Sequence, residues 1–302
     1  MERRGSCYKR ARMAFDSSSA RWRLLGVALL FSTGGAAIKG TELSSWQVAC
    51  LRSAVAAATL LLLLPAARRA WSWRSLVVGA TYAATMILFV TANKLTTSAN
   101  AIFLQATAPL YLLLLGPWLL KEPIRRRDLT FLALAAVGMG FFFLGTTAPT
   151  RLAPNPALGD ALALASGLTF AFTIAGMRWL GTRPGDNAAS GAVVAGNVIA
   201  ALCCAPLALP LDGIGVSDAA TILYLGVFQI GLAYAWMARA LPHVPAFEAS
   251  ILLLAEPVLN PLWTWLTQGE KPGGWAIVGG AMILGATLVK AWLDRAPSAT
   301  EP

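Results

Sequence analysis

The sequence predicts an all-α membrane protein with ten transmembrane helices arranged as a 5+5 inverted-topology repeat. Three observations carry the helical-membrane part of that expectation. Only 13% of the 302 residues are charged and 57% are hydrophobic, with a mean hydropathy of +0.63. A soluble domain carries about 25% charged residues to coat its surface. The apolar residues fall in runs of roughly 18 to 24, enough to cross about 30 Å of hydrocarbon at about 1.5 Å per helical residue. The basic residues gather in the short segments between those runs.

The runs place spans at about 22–40, 46–67, 75–97, 99–120, 128–146, 158–180, 188–210, 218–241, 245–267 and 273–293. Residues 1–21 form a basic segment with no apolar stretch of its own, so the first span is expected to act as an uncleaved insertion signal. The narrowest junction is Thr96-Thr97-Ser98, which demands a tight turn between the third and fourth spans. The longest loop, 147–157, carries Pro149, Pro154 and Pro156, a spacing hostile to helix. It divides the chain into a first five-helix unit, 22–146, and a second, 158–293, followed by a cytoplasmic tail, 294–302, expected to be disordered from Ala296.

Charge sets the expected orientation. Of the 24 lysines and arginines, Lys39, Lys94, Arg151 and Lys271 fall on one side, Arg52 lies inside a span, and the other 19 fall on the opposite side. The positive-inside rule then puts the 19 and both termini in the cytoplasm of a multi-pass inner-membrane protein. The same rule accounts for the net charge of +10, which needs no nucleic-acid partner.

The two halves repeat. Span 4 contains Ala106-Thr107-Ala108-Pro109 and ends at Lys121-Glu122-Pro123; span 9 contains Leu254-Ala255-Glu256-Pro257 and ends at Gly269-Glu270-Lys271-Pro272. Pro109 pairs with Pro257 and Glu122 with Glu270 at a single offset of about 148 residues. Phe31 to Lys39 lies loosely over Phe170 to Arg178. Five spans per copy is an odd number, so the second copy enters the bilayer from the opposite side. Inverted repeats recur in secondary transporters because they provide two related packings, one open to each side.

This pattern resembles the drug/metabolite transporter superfamily, specifically its EamA-type ten-helix members. The residues that carry the resemblance are Arg52, Leu95-Thr96-Thr97-Ser98-Ala99 leading into Pro109, Glu122, Ala255-Glu256-Pro257-Val258 and Gly269-Glu270. The resemblance implies alternating access around a central cavity lined by spans 1, 3, 4, 6, 8 and 9. It also implies efflux of metabolites, amino acids or drugs, with some members importing. One departure stands out: the first repeat has Ala108 where the second has Glu256.

Glu256 is the sharpest candidate for substrate binding or coupling. It lies about 11 residues into its span, roughly 16 Å deep at 1.5 Å per residue. A carboxylate there must be protonated, paired or facing a watery cavity. It either binds a cationic group, carries a proton, or bonds a neighbouring helix. Gln105, Tyr111, Asn93, Gln229, Tyr234, Trp236 and Asn260 are further lining candidates, each with packing as the plainer role. Pro109, Pro257 and Pro261 are expected helix breaks or hinges: Pro109 frees the Gln105 carbonyl, and Pro257 and Pro261 free those of Leu253 and Pro257. Arg52, Lys39 and Lys94 either snorkel to the membrane surface, the plainer role, or anchor an anionic group or pair with a carboxylate. Trp263 and Trp265 suit an interfacial belt, and Glu248 suits a helix N-terminus. Glu122 and Glu270 should tie span ends to basic neighbours. Gly138, Gly140, Gly279, Gly280 and Gly285 should let spans 5 and 10 approach closely and form a packing or homodimer face.

Composition also excludes classes. The single histidine, His243, leaves no histidine–acid pair, so an enzyme is not expected, and no Walker-A loop is present for ATP-driven transport. Cys7, Cys50, Cys203 and Cys204 have no metal-ligand spacing. No metal or cofactor is expected, and the expected partners are the lipid bilayer and a small-molecule substrate, with protons as an open coupling ion. The competing class is a membrane channel or scaffold without active transport.

Overall fold

The computed structural model describes residues 19–119, 126–144, 148–180, 188–211, 213–240, 243–244 and 252–295. Among them ten helices follow in order. Helix α1 runs over 19–32 and resumes as Gly34–Lys39, α2 is Ser45–Leu63, and α3 is Trp73–Leu95. Helix α4 is Ser98–Gln105 continued as Ala108–Leu119, and α5 is Arg126–Leu144. The second half has α6 (Pro156–Leu180), α7 (Ala188–Ala208), α8 (Val216–Ala240), α9 (Ala255–Gln268) and α10 (Gly274–Arg295). Six of these are long and apolar enough to cross a membrane by themselves. Helices α1 and α9 are broken or shorter, and α5 and α10 carry shorter apolar stretches.

Local chemistry sets the helix starts. Ser44 opens α2 with a capping box: its Oγ accepts from the Gln47 amide, and the Gln47 side chain accepts from the Ser44 amide. Ser72 and Ser75 do the same for α3. The tight turn expected between α3 and α4 is present. Thr97 caps α4 by accepting from the Asn100 amide, and the Asn155 amide donates to the Leu95 carbonyl at 3.1 Å. Pro156 stands at the first position of α6, where its missing N–H costs nothing.

The halves are interleaved rather than side by side. Helix α3 packs on α6 and α7, α2 on α7 and α8, α1 on α9, α4 on α6, and α5 on α10. Each of these contacts joins one half to the other. Two pairs of them match under exchange of the halves: α3–α7 with α2–α8, and α1–α9 with α4–α6. The Gly138–Gly279 crossing lets α5 and α10 meet: a Cβ on Gly138 would lie 3.1 Å from the Gly279 carbonyl oxygen. Gly280 abuts Phe103 of α4, while Gly140 and Gly285 face open space, so two of the five glycines expected at close approaches are not used that way. Large apolar side chains such as Leu62, Leu144, Leu202 and Leu266 point outward, as lipid contact requires.

Several expectations fall outside the described residues or are corrected. Glu122 and Glu248 lie outside them. Arg52 does not snorkel: it is 1% exposed, in the third turn of α2, facing inward. Lys39 is likewise buried and paired, and Lys94 donates to the Thr41 carbonyl at 2.7 Å. Each of the three side chains meets an acceptor or a cavity within the protein. Trp263 is not a belt residue, since its indole N–H donates to Ser32 Oγ of α1 at 2.9 Å; Trp265 remains exposed.

Candidate functional site

Two helix breaks meet at the centre. Helix α4 breaks at Ala106 (φ −64°, ψ −3°), three residues before Pro109. Helix α9 is preceded by a matching break at Leu254 (φ −64°, ψ −13°), three residues before Pro257. Proline supplies the reason in both: it has no N–H to give, and its ring clashes with the carbonyl four residues back. The repeat inferred from sequence thus has the same backbone distortion in both copies.

A cavity of about 280 Å³ opens beside these breaks. Its walls include Gln105, Pro109, Gln229, Tyr234, Glu256 and Pro257 from the residues singled out in sequence. The rest of the surface is chiefly apolar and aromatic, with Phe31, Met86, Phe89, Phe170 and Ile174. Eight helices contribute. They include the expected α1, α3, α4, α6, α8 and α9, and in addition α2 through Arg52 and α10 through Thr287.

The polar groups of the wall differ in how far they are satisfied. Gln105 Nε2 donates to Ser166 Oγ at 2.7 Å, inside a hydroxyl lane between α3 and α6 that also holds Thr85–Thr169 and Thr81–Thr173. Gln229 Oε1 is buried with no partner among the described residues. Glu256 is half-buried and joins no ion pair among the described residues. Arg52 is more exceptional. One terminal nitrogen meets Met86 Sδ at 3.4 Å, Nε has no partner among the described residues, and the titratable groups that act on its charge are Tyr82, Tyr234 and Cys204. None of these is an acid that ionises near neutral pH. Tyr234 lies within electrostatic reach of both Arg52 and Glu256. Its ring packs on Phe31 and Tyr82, at 5.3 and 5.5 Å between centroids.

Not every candidate reaches this cavity. Asn93 and Asn260 meet at Ser98 instead: Ser98 Oγ lies 3.2 Å from Asn93 Oδ1 and 2.6 Å from Asn260 Oδ1. Pro261 is buried one turn beyond in α9. Trp236 packs over Gly26 of α1, and Tyr111 is half-buried on α4 outside the cavity wall. The Asn–Ser cluster continues into a buried polar plug at the Lys39 end of the bundle. There Lys39 pairs with Glu270, Glu270 Oε1 accepts from the Ser98 amide at 2.7 Å, and Asp160 accepts from Thr96 and Asn100. Gly269 makes the turn that aims Glu270 inward, in the left-handed conformation (φ +70°) that glycine takes without strain.

Sequence reasoning missed two features. Arg52 is expected either to snorkel or to anchor an anion, with span 2 outside the cavity wall, and its only signal is a lone arginine deep in an apolar run. The second is a π-helical stretch, Tyr224–Leu232, within α8, which turns Gln229 and Ile230 into the wall. Such stretches recur at functional sites, and no residue pattern announced this one.

Comparison with known proteins agrees with this architecture. The model of the EamA-like transporter family matches twice, over residues 21–144 and 157–291. No curated protein matches the chain. Among solved structures, a crystal structure of a protein aligns with a TM-score of 0.61 at 22% identity, covering 92% of this chain and 98% of that one. At that identity the likeness bears on the fold alone.

Proposed function

The chain belongs to the EamA-like transporter family, and from that premise we propose that it is a secondary transporter of the inner membrane. It exports a small organic metabolite, amino acid or drug-like solute by alternating access. The observation that carries this reading is the cavity at the paired breaks of α4 and α9, walled by both halves. Irregular backbone at membrane depth is tolerated where it lines protein or a cavity, and inverted-repeat transporters place substrate sites at such breaks. In this reading the two units span 22–146 and 158–293, and both termini are cytoplasmic. Gln105, Gln229, Tyr234 and Glu256 contact the solute, and Pro109 and Pro257 serve as hinges. Glu256 holds a cationic group or carries a coupling proton.

The test is substrate-stimulated counterflow in proteoliposomes, run against amino acids, nucleosides, polyamines and cationic drugs. Uptake of labelled solute driven by an internal pool of the same solute is the expected result. A channel would dissipate the gradient without exchange, and a scaffold would do neither. If Glu256→Gln keeps the full rate and the same pH dependence, the proton role is rejected.

A further inference from the structure

We propose that the cavity is bipolar, with Arg52 as the seat of an anionic group and Glu256 as the seat of a cationic one, so that its solute is a zwitterion with an apolar body. The inference rests on the transporter reading and deepens it by naming the substrate class.

The argument starts from Arg52. A guanidinium cannot shed its proton under physiological conditions. Burying it costs free energy unless a counter-charge and hydrogen-bond acceptors are supplied. Here it is 1% exposed, and among the described residues a thioether is its hydrogen-bond partner and Nε has none. The ion pairs among the described residues are Lys39–Glu270 and Arg151–Glu42, and Arg52 joins neither. A buried charged donor left unsatisfied at the wall of a cavity is a place prepared for an acceptor from outside the chain. A carboxylate fits a guanidinium fork with two parallel hydrogen bonds.

Glu256 gives the other pole. It lines the same cavity yet makes no ion pair with Arg52, although a direct bridge would relieve both charges. Tyr234 lies in the same wall as both. An unpaired guanidinium and an unpaired carboxyl lining one cavity are satisfied together by a molecule carrying both a carboxylate and an ammonium group. An organic cation alone would leave Arg52 uncompensated, and an organic anion alone would leave Glu256 to hold a proton in place of a partner. Phe31, Met86, Phe89 and Phe170 supply apolar surface for the body of such a solute.

The test uses leucine, methionine and phenylalanine, each beside its decarboxylated amine and its deaminated acid. Binding to the purified full chain in lipid nanodiscs is measured by calorimetry. At least one zwitterion should bind about tenfold or more tighter than both its amine and its acid, the scale of one charged hydrogen bond. Arg52→Gln should weaken the zwitterion and the acid about tenfold and leave the amine unchanged, with Glu256→Gln giving the converse. Arg52→Lys, which keeps the charge, should retain part of the preference and separates loss of the anion seat from loss of the fold. Equal binding of amine and zwitterion, or Arg52→Gln that unfolds nothing and changes no preference, overturns the proposal. Counterflow of a purely cationic or uncharged solute, with none of the zwitterions bound, also overturns it and leaves transport standing. Absence of exchange with every solute overturns the transporter reading itself.

Discussion

Lys39 Nζ and Glu270 Oε2 stand 2.9 Å apart with side chains only 1% and 8% exposed, joining the end of α1 to the end of α9 across the two halves. The lysine also donates to the Thr96 and Leu152 carbonyls. Removing one partner strands the other charge, which costs about 3–5 kcal/mol for a buried pair. Glu270→Gln should therefore lower the thermal unfolding temperature in detergent strongly. Lys39→Met combined with Glu270→Met should recover most of the loss. If the double variant is as unstable as the single one, the stranded charge is not the cause.

Gly35 and Gly140 should respond to alanine with opposite signs. A Cβ on Gly35 would overlap Ser98 Oγ and come within 2.6 Å of Asn260 Oδ1, inside the polar plug. Gly35→Ala should destabilise by about 1–3 kcal/mol, as overpacking does. Gly140 lies within α5 with nothing near its Cβ position. There alanine should be neutral or should stabilise by up to about 1 kcal/mol, through helix propensity. Thermal unfolding of the two variants side by side checks both signs.

These contrasts mark what the sequence could and could not reveal. Length, apolar runs and proline spacing were enough for the bundle, the tight turn at Thr96-Thr97-Ser98 and the breaks at Pro109 and Pro257, because each depends on local chemistry. Depth along a span was enough to put Glu256 and Gln105 at cavity level. Rotation about a helix axis was not legible where a helix is apolar all round. In α2 lipid and protein both accept the same side chains, so periodicity does not say that Arg52 faces inward. Asn93 and Asn260 could be judged polar and deep, but only the fold shows that they satisfy Ser98 rather than the cavity. The Lys39–Glu270 pair depends on two span ends that only the inverted packing brings together.

The orientation can be settled independently of any substrate. With 19 of the 24 basic residues on one side, both termini should be cytoplasmic. A green fluorescent reporter fused after Pro302 should light up in cells, and alkaline phosphatase at the same point should stay inactive. Phosphatase inserted in the 147–157 loop should be active. The reverse pattern would invert the bundle in the membrane and place the Lys39–Glu270 plug on the cytoplasmic side.

The matched breaks at Ala106 and Leu254 make a prediction about motion. If they were only packing accidents, replacing the prolines would alter stability and little else. If they are hinges, restoring the backbone N–H should extend the hydrogen-bonded ladder through the break and stiffen both helices. Pro109→Ala and Pro257→Ala should then leave thermal stability unchanged or raised, because a helical N–H is regained. Each should slow counterflow by about tenfold, equivalent to about 1.4 kcal/mol in the barrier. The rate is the deciding measurement. Two folded variants that exchange at the wild-type rate would show that the breaks shape the cavity without moving it. A slow variant that binds its solute as tightly as the wild type would place the defect in the conformational step.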